Sequence, residues 1–361
     1  MSADAEGDRT VILGAGPAGL SAAACLGRRG LPYLLLEKGE MACAALRKVD
    51  PGMTLVSPRP VSRLPYMESL AGKPTYMELG TYLEVLDRYR EQNQVEVETG
   101  AEVQRVVHED DGFRVIYRAG GSGRTAAGRF VINATGVLSA PVLPPDFDPD
   151  ATKIPWRHSR DVHPEDLAAC RRLLLIGGGL SAADVASDWL RQRGPEARAW
   201  ISLRSPLWVA PRKVFGLDVH YTIWLPEQLP VLPVVWRKLQ TNPILGFELP
   251  RTIRRGDLHE VGAVAAYRQD RVEIDGGEVL EPDLMVFATG YKYATPHLGD
   301  LFRWPSGGRP RVRCCESLET PSLFLLGIHF ARTFASPYLR GIGRDAAYVA
   351  RQIERRIARA S

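Results

Sequence analysis

Thr10-Val-Ile-Leu-Gly-Ala-Gly-Pro-Ala-Gly19 and Arg172-Leu-Leu-Leu-Ile-Gly-Gly-Gly-Leu-Ser-Ala182 are two versions of one pattern on a single chain. In each, a short apolar run leads into Gly14-x-Gly16-x-x-Gly19 or Gly177-x-Gly179-x-x-Ala182, and small or helix-compatible residues follow. Glycine runs also occur in ordinary turns, so the flanks decide: a strand before and a helix after make a dinucleotide fingerprint. Pro17 to Arg29 is Ala/Leu-rich, with proline near its first turn and Gly30 where a helix-ending glycine belongs. Ser181 to Gln192 repeats the helical stretch and is closed by Gly194. The glycines let backbone approach a pyrophosphate, whose charge is met by unpaired N–H groups at the helix start. Two such seats imply two bound dinucleotides.

The residues beyond the following strand separate the two ligands. Pro32 to Glu37 ends in a carboxylate near the spacing of roughly 20 residues at which an acidic group holds ribose hydroxyls. That favours an unphosphorylated ribose, as in FAD or NAD. The matching stretch Arg198 to Ser205 ends in Arg204 and Ser205, a guanidinium and a hydroxyl suited to a 2′-phosphate that a carboxylate would repel. NADPH is the expected ligand of the second unit.

The chain has 361 residues, 45% hydrophobic and 24% charged, which is globular composition with room for two or three compact units. Its net charge is +4, from scattered basic residues with no lysine-rich block, and no nucleic-acid partner is expected. Cys25, Cys43, Cys170, Cys314 and Cys315 form no CxxC pair and no metal-ligand spacing. This argues against a dithiol reductase and against zinc, and it suits a reducing compartment. No signal core and no apolar stretch of membrane-spanning length is present, so a cytoplasmic protein without a membrane span is expected.

Between the fingerprints, Met41 to Pro74 is too rich in proline for a helix, Tyr76 to Arg90 has helical apolar spacing, and strands are expected at Val95–Glu98, Glu102–Val107 and Phe113–Tyr117. Arg129 to Gly136 is an apolar strand ending in Ala134-Thr135-Gly136. The second half replays this: Val261–Tyr267 pairs with Arg271–Ile274, and Leu284 to Gly290 ends in Ala288-Thr289-Gly290. A Trp- and Pro-rich insertion over 208–258 interrupts the replay. It holds Trp208, Tyr221, Trp224 and Trp236, which either line a cavity or simply pack. Ser322 to Gly327 and a helix from Gly341 to Ala358 complete the chain. The expected architecture is α/β: two Rossmann-like domains, each with an antiparallel meander, the NADPH domain (156–291) inserted into the FAD domain (1–155 and 292–361).

With its paired fingerprints, Glu37, Asn133-Ala-Thr-Gly136 and Phe287-Ala-Thr-Gly-Tyr291, the chain resembles the flavin-containing and class B flavoprotein monooxygenases. His158-Ser-Arg-Asp161 is similar to the tail of that family's linker signature, whose opening Phe and Gly are replaced here by Thr152 and Ile154. Ser57-Pro-Arg59 and Leu64-Pro65 resemble its flavin-passing loop, and Gly341-Ile-Gly343-Arg-Asp345 its closing segment beside the flavin ring. The cofactor-binding candidates are Gly14, Gly16, Pro17, Ala18, Gly19, Glu37, Lys38, Arg59, Val103, Ala134, Thr135, Gly136, Gly177, Gly179, Leu180, Ser181, Arg204, Ser205, Thr289, Gly290, Gly341 and Gly343. Leu180 stands where relatives often carry a polar residue.

The resemblance implies hydride transfer from NADPH to FAD, then oxygenation of a small nitrogen, sulfur or carbonyl substrate through an O2 adduct at flavin C4a. No catalytic base is nominated. Arg59 and Arg344 are candidates to face flavin or nicotinamide, and His158 reads first as a linker histidine. A flavoprotein reductase serving a protein or small-molecule acceptor, and a non-catalytic redox-sensing module, remain open alternatives. Nothing in the sequence fixes the oligomeric state.

Overall fold

A computed structural model describes residues 9–138, 140–194, 196–222, 244–246, 248–305 and 310–360. Its centre is a six-stranded sheet in the order Val312–Arg313, Glu316–Ser317, Leu323–Leu325, Phe130–Asn133, Thr10–Leu13, Tyr33–Leu36. The last four strands run parallel, with Leu13 level with Leu36 on one side and Asn133 on the other. Thr10–Leu13 and Phe130–Asn133 are buried along their whole length, as expected for a parallel sheet covered on both faces. One cover is the helix Pro17–Gly27, whose small residues allow close packing. Another is the terminal helix Leu339–Ala360, which lies against it.

A second, all-parallel sheet runs His259–Val261, Arg198–Ser202, Arg172–Ile176, Leu284–Phe287, Trp156–His158. It buries Leu173, Leu175, Ala199, Ile201 and Val286 against the helix Leu180–Gln192, where Trp189 is the largest fully buried side chain. A three-stranded antiparallel meander accompanies each sheet: Glu102–Glu109, Gly112–Ala119 and Ser122–Gly128 in the first case, Val264–Tyr267, Val272–Ile274 and Val279–Leu280 in the second.

Several boundaries differ from the sequence reading. The first helix stops at Gly27 rather than Arg29, because the Gly30 and Leu31 amides turn back onto the Gly27 and Leu26 carbonyls and Gly30 takes φ +67°. The helix expected from Tyr76 begins at Leu79. Val95–Glu98 is not a strand: only Glu98 bridges to Leu36, through paired bonds to Leu35 and Glu37. Val261–Tyr267 divides at Gly262. His259–Val261 joins the parallel sheet and Val264–Tyr267 the meander, while the Gly262 carbonyl accepts from the Ser202 hydroxyl. The terminal helix is longer at both ends than Gly341–Ala358.

Within the 208–258 insertion, described residues form a strand pair Val209–Ala210 with Ile244–Leu245, a tight hairpin Lys213–Val214 with Leu217–Asp218, and a helix Glu248–Arg255. Trp208 and Tyr221 are exposed here, while Trp224 and Trp236 lie outside the described residues. No helix among the described residues is long and apolar enough to cross a membrane.

Candidate active site: two dinucleotide cradles

The two glycine loops have the same backbone wiring. The Gly14 amide donates to Leu36 O at 2.7 Å and the Ala134 amide to Leu13 O at 2.8 Å; in the second sheet the Gly177 amide donates to Ser202 O at 3.1 Å and the Ala288 amide to Ile176 O at 2.8 Å. Each loop is thus tied to the strand on either side of its own, and the helix behind it points its free N–H groups into the crevice between them.

Glycine is required at different positions for different reasons. A Cβ on Gly14 would lie 2.8 Å from Ala134 O, and one on Gly177 would lie 2.5 Å from Ala288 O, with φ +93° and +109° besides. On Gly19 it would collide with Gly14 O at 1.9 Å. By contrast, Gly16 and Gly179 have nothing within 4 Å in that direction. The outer glycines let the chain fold, and the middle ones leave open the space a pyrophosphate would enter. A dinucleotide therefore fits both loops.

Glu37 closes the first cradle. Its Oε2 accepts from the Ala15 amide at 2.8 Å and its Oε1 from the Gly39 amide at 2.9 Å, which fixes the carboxylate beside the loop with lone pairs to spare for ribose hydroxyls. Lys38 turns outward to Glu102 at 2.6 Å, the residue before Val103 at the start of the meander. Aligned by the amide bonds to Leu36 and Ser202, the counterpart of Glu37 is Leu203, and Arg204 and Ser205 follow it at the exposed strand end. The carboxylate of the first cradle is therefore replaced by an apolar side chain. Leu203 and Leu207 approach so closely that a Cβ on Gly178 would meet them at 2.7 and 2.6 Å.

The crossing between the sheets is also built from the signature residues. Segments 140–142 and 290–292 pair antiparallel, with the Val142 amide bonded to Gly290 O and the Lys292 amide to Ala140 O. The Thr289 hydroxyl donates to Val142 O, and Thr135 to Asn133 Oδ1 at 3.2 Å. His158 uses both ring nitrogens: Nδ1 accepts from the Arg160 amide, so Nε2 carries the proton donated to Gly290 O at 3.1 Å. Burial holds its pKa below the ordinary value, and the neutral ring acts as a pin between strand ends. Arg160 spans from Asp161 to Leu138 O.

The two nominated arginines are in different settings. The Arg59 guanidinium donates to Lys73 O within the proline-rich loop, while Arg344 is exposed on the first turns of the terminal helix. There Gly341 sits against Ala335 O, where a Cβ would be at 2.0 Å, and Gly343 against Pro65, where it would be at 2.5 Å. This brings the closing segment onto the Leu64-Pro65 loop. Two arrangements had no sequence signal because they depend on tertiary contact. Asp218, buried in the insertion, accepts from the Tyr76 hydroxyl and from His220 Nδ1, tying the insertion to the segment that leads into the helix Leu79–Gln92. Asp345, fully buried, pairs with Arg332 at 2.7 Å.

All five cysteines are free. Burial raises the Cys25 thiol to about 11, Cys43 and Cys170 to about 12, and Cys315 well above the usual range, so these four are held protonated and unreactive. Among the described residues no cluster of histidine, cysteine or carboxylate could hold a metal.

Residues 11–212, more than half of the chain, match the pyridine nucleotide-disulphide oxidoreductase family. The chain belongs to that family. It is an oxidoreductase, and flavin monooxygenases are among its sequence relatives and structural neighbours. It is 27% identical to indole-3-pyruvate monooxygenase YUCCA4 of Oryza sativa subsp. japonica, over 80% of this chain and 75% of the rice protein. It is 24% identical to the uncharacterized oxidoreductase CzcO of Bacillus velezensis, over 95% of this chain and 98% of the other. Among solved structures, the flavin-containing monooxygenase from Stenotrophomonas maltophilia superposes with a TM-score of 0.77 at 25% identity, over 97% of this chain and 99% of that one.

Proposed function

We infer that this protein is an FAD- and NADPH-dependent monooxygenase that oxygenates a small nucleophilic or carbonyl substrate. The observation that carries this reading is the combination of two complete dinucleotide cradles with cysteines that offer no dithiol relay. In a family named for disulphide reduction, four thiols here are buried and protonated, so electrons have no paired-sulfur outlet in the protein. FAD in the Gly14–Gly19 cradle and NADPH in the Gly177–Ala182 cradle supply the redox chemistry, a hydride from the nicotinamide and activation of O2 by the reduced flavin.

The chain's own residues bind and orient. Gly14, Gly16, Pro17, Ala18 and Gly19 seat the first pyrophosphate at a helix start, and Glu37 holds its ribose, with Lys38, Val103, Ala134, Thr135 and Gly136 at the cradle's rim. Gly177, Gly179, Leu180 and Ser181 seat the second. Leu203 removes the charge that would repel a 2′-phosphate, and Arg204 and Ser205 bind it. His158, Thr289 and Gly290 set the angle at which the second unit meets the first. Gly341 and Gly343 allow the terminal helix to close on the Pro65 loop, bringing Arg59 and Arg344 to the edges of the site and excluding water that would divert reduced oxygen. The division read from the sequence, 1–155 and 292–361 for the FAD unit and 156–291 for the NADPH unit, moves toward the N-terminus. Phe147 and Ile154 are buried with Leu174, Tyr267 and Phe287, so the stretch from Leu143 onward belongs to the NADPH unit.

The test is turnover of thioanisole with NADPH under 18O2. Labelled sulfoxide, with Arg204→Ala raising the KM for NADPH tenfold or more and leaving that for NADH within about twofold, is expected; tenfold corresponds to about 1.4 kcal/mol. NADPH oxidation whose electrons are all recovered as labelled hydrogen peroxide or in an added acceptor, with no label in the organic product, would instead identify a reductase.

A further inference from the structure

We propose that Asp345 is a positioning residue: its carboxylate clamps the loop 329–338, which forms an aromatic wall beside the flavin cradle. Which cofactor the cradle holds and what the wall contacts rest on the reading given above, but the clamp itself is geometric.

The loop leaves and rejoins the cradle at two close contacts. At its start, Gly327, with φ +74°, faces Ala18 in the first turn of the fingerprint helix. At its end, Gly341 and Gly343 press on Ala335 O and Pro65. Between them the loop carries His329, Phe330, Phe334 and Tyr338, all half-buried, with ring centroids 5.7 to 6.2 Å apart. Phe330 has φ +59°, a left-handed conformation that a residue with a bulky side chain keeps only when its surroundings impose it.

The imposing contacts converge on Asp345. Oδ1 accepts from Arg332 Nε at 2.7 Å. Ser336, fully buried, accepts from the Arg332 and Thr333 amides at 3.1 and 3.0 Å, closing the turn that faces the carboxylate. The second carboxylate oxygen, Oδ2, is buried without a hydrogen-bond partner, so the Arg332 bond carries the clamp, and buried Cys315 ties the neighbouring strand to the loop through its amide bond to Ala331 O. The Arg332 guanidinium also lies over Tyr348, 5.5 Å from the ring centre.

A carboxylate with no solvent exposure is an expensive way to stabilise a fold, because its desolvation offsets the attraction of its partner. An apolar pair of similar size would serve as well for packing. What the ion pair adds is a directional bond that selects one conformation of the loop, at the end of the terminal helix that abuts the Pro65 loop.

Asp345→Asn keeps the shape and one acceptor but removes the charge. Expected in the FAD-loaded protein are flavin content and NADPH-driven flavin reduction within twofold of wild type, amide hydrogen exchange at least tenfold faster over 329–338 and unchanged over 14–19, a fivefold or greater rise in KM for thioanisole with a smaller change in kcat, and a severalfold larger share of NADPH electrons recovered as hydrogen peroxide. Ser336→Ala should shift the same readouts in the same direction by less, and it decides alone if the Asp345→Asn protein does not fold. Exchange over 329–338 that stays at the wild-type rate in both variants overturns the clamp. Loss of flavin content and reduction in step with exchange at 14–19 reduces it to general stability and overturns the positioning role. If wild type places no 18O in thioanisole or in a cyclic ketone offered beside it, the monooxygenase reading fails, and the exchange result still judges the clamp.

Discussion

Gly16 and Gly19 are three residues apart in one motif, yet the space around them assigns them opposite duties. A methyl group on Gly19 would have to enter the Gly14 carbonyl, whereas on Gly16 it would point into the open crevice. Gly16→Ala should therefore leave the stability of the apo protein within about 0.5 kcal/mol while weakening FAD at least tenfold. Gly179→Ala should do the same for NADPH alone, and Gly19→Ala should cost on the order of 3 kcal/mol of stability before any ligand is added. Urea unfolding of the apo protein beside flavin and NADPH titrations distinguishes the three; equal stability losses for Gly16→Ala and Gly19→Ala would contradict the assignment. At this scale much was legible in the sequence, because the fingerprint's spacing encodes a local backbone shape. Glu37 and Arg204 could be nominated by their distance from the glycines. Leu203 could not, since its meaning comes from the amide bond that aligns Ser202 with Leu36. Asp345 stands in the closing segment that the resemblance marks, but nothing local gives it a role: its partner Arg332, with Ser336 and Cys315, is brought to it by the fold.

Among the secondary-structure elements, those specified by a long apolar period are where the sequence places them, and those specified by a neighbour are not. Arg172–Ile176 and Thr10–Leu13 stand as read, because four buried residues in a row have no exposed face to mislead. Ser122–Gly128, made of small and polar residues, is a strand only because Gly112–Ala119 offers it an edge, and nothing in its own composition announces that. Val95–Glu98 reads as a strand but makes a single bridge, because the edge it meets at Tyr33–Leu36 is short. The terminal helix shows which contacts matter for stability. Ile353 is fully buried in the main core, while Glu354 next to it reaches Arg29 at 3.5 Å from a half-exposed position. Burial outweighs the surface ion pair: Ile353→Ala should cost about 2–4 kcal/mol in urea unfolding, and Glu354→Ala less than about 1 kcal/mol. A larger effect at Glu354 would mean that the helix is held to the fingerprint helix by charge rather than packing.

For the whole molecule, the replayed order of elements exposed an internal duplication, and the two sheets, one with four parallel strands and one wholly parallel, each with a meander, agree with it. What the replay could not reveal is how the halves are joined, because the joining bonds link residues far apart in the chain. Segments 140–142 and 290–292 run side by side, and three imidazoles sit near the strand ends: buried His158 on Gly290 O, buried His297 on Asn133 Oδ1 at 2.9 Å, and half-buried His329 on the Tyr293 hydroxyl at 2.7 Å. Burial lowers the pKa of all three, that of His297 to about 4. The unfolded chain therefore binds protons that the folded one refuses. Stability is intact above about pH 6.5 and is lost as pH falls, the His297 contribution declining by up to about 1.4 kcal/mol per pH unit until the folded value near 4 is reached. Replacing His297 with Gln keeps a donor for Asn133 and removes that titration. Urea unfolding at pH 7.5, 6, 5 and 4.5 should show a shallower loss of stability for His297→Gln than for wild type, although its stability at pH 7.5 can be lower. Parallel curves would mean that His297 is protonated in the folded protein as readily as in the unfolded chain, and that its bond to Asn133 survives with a charged ring.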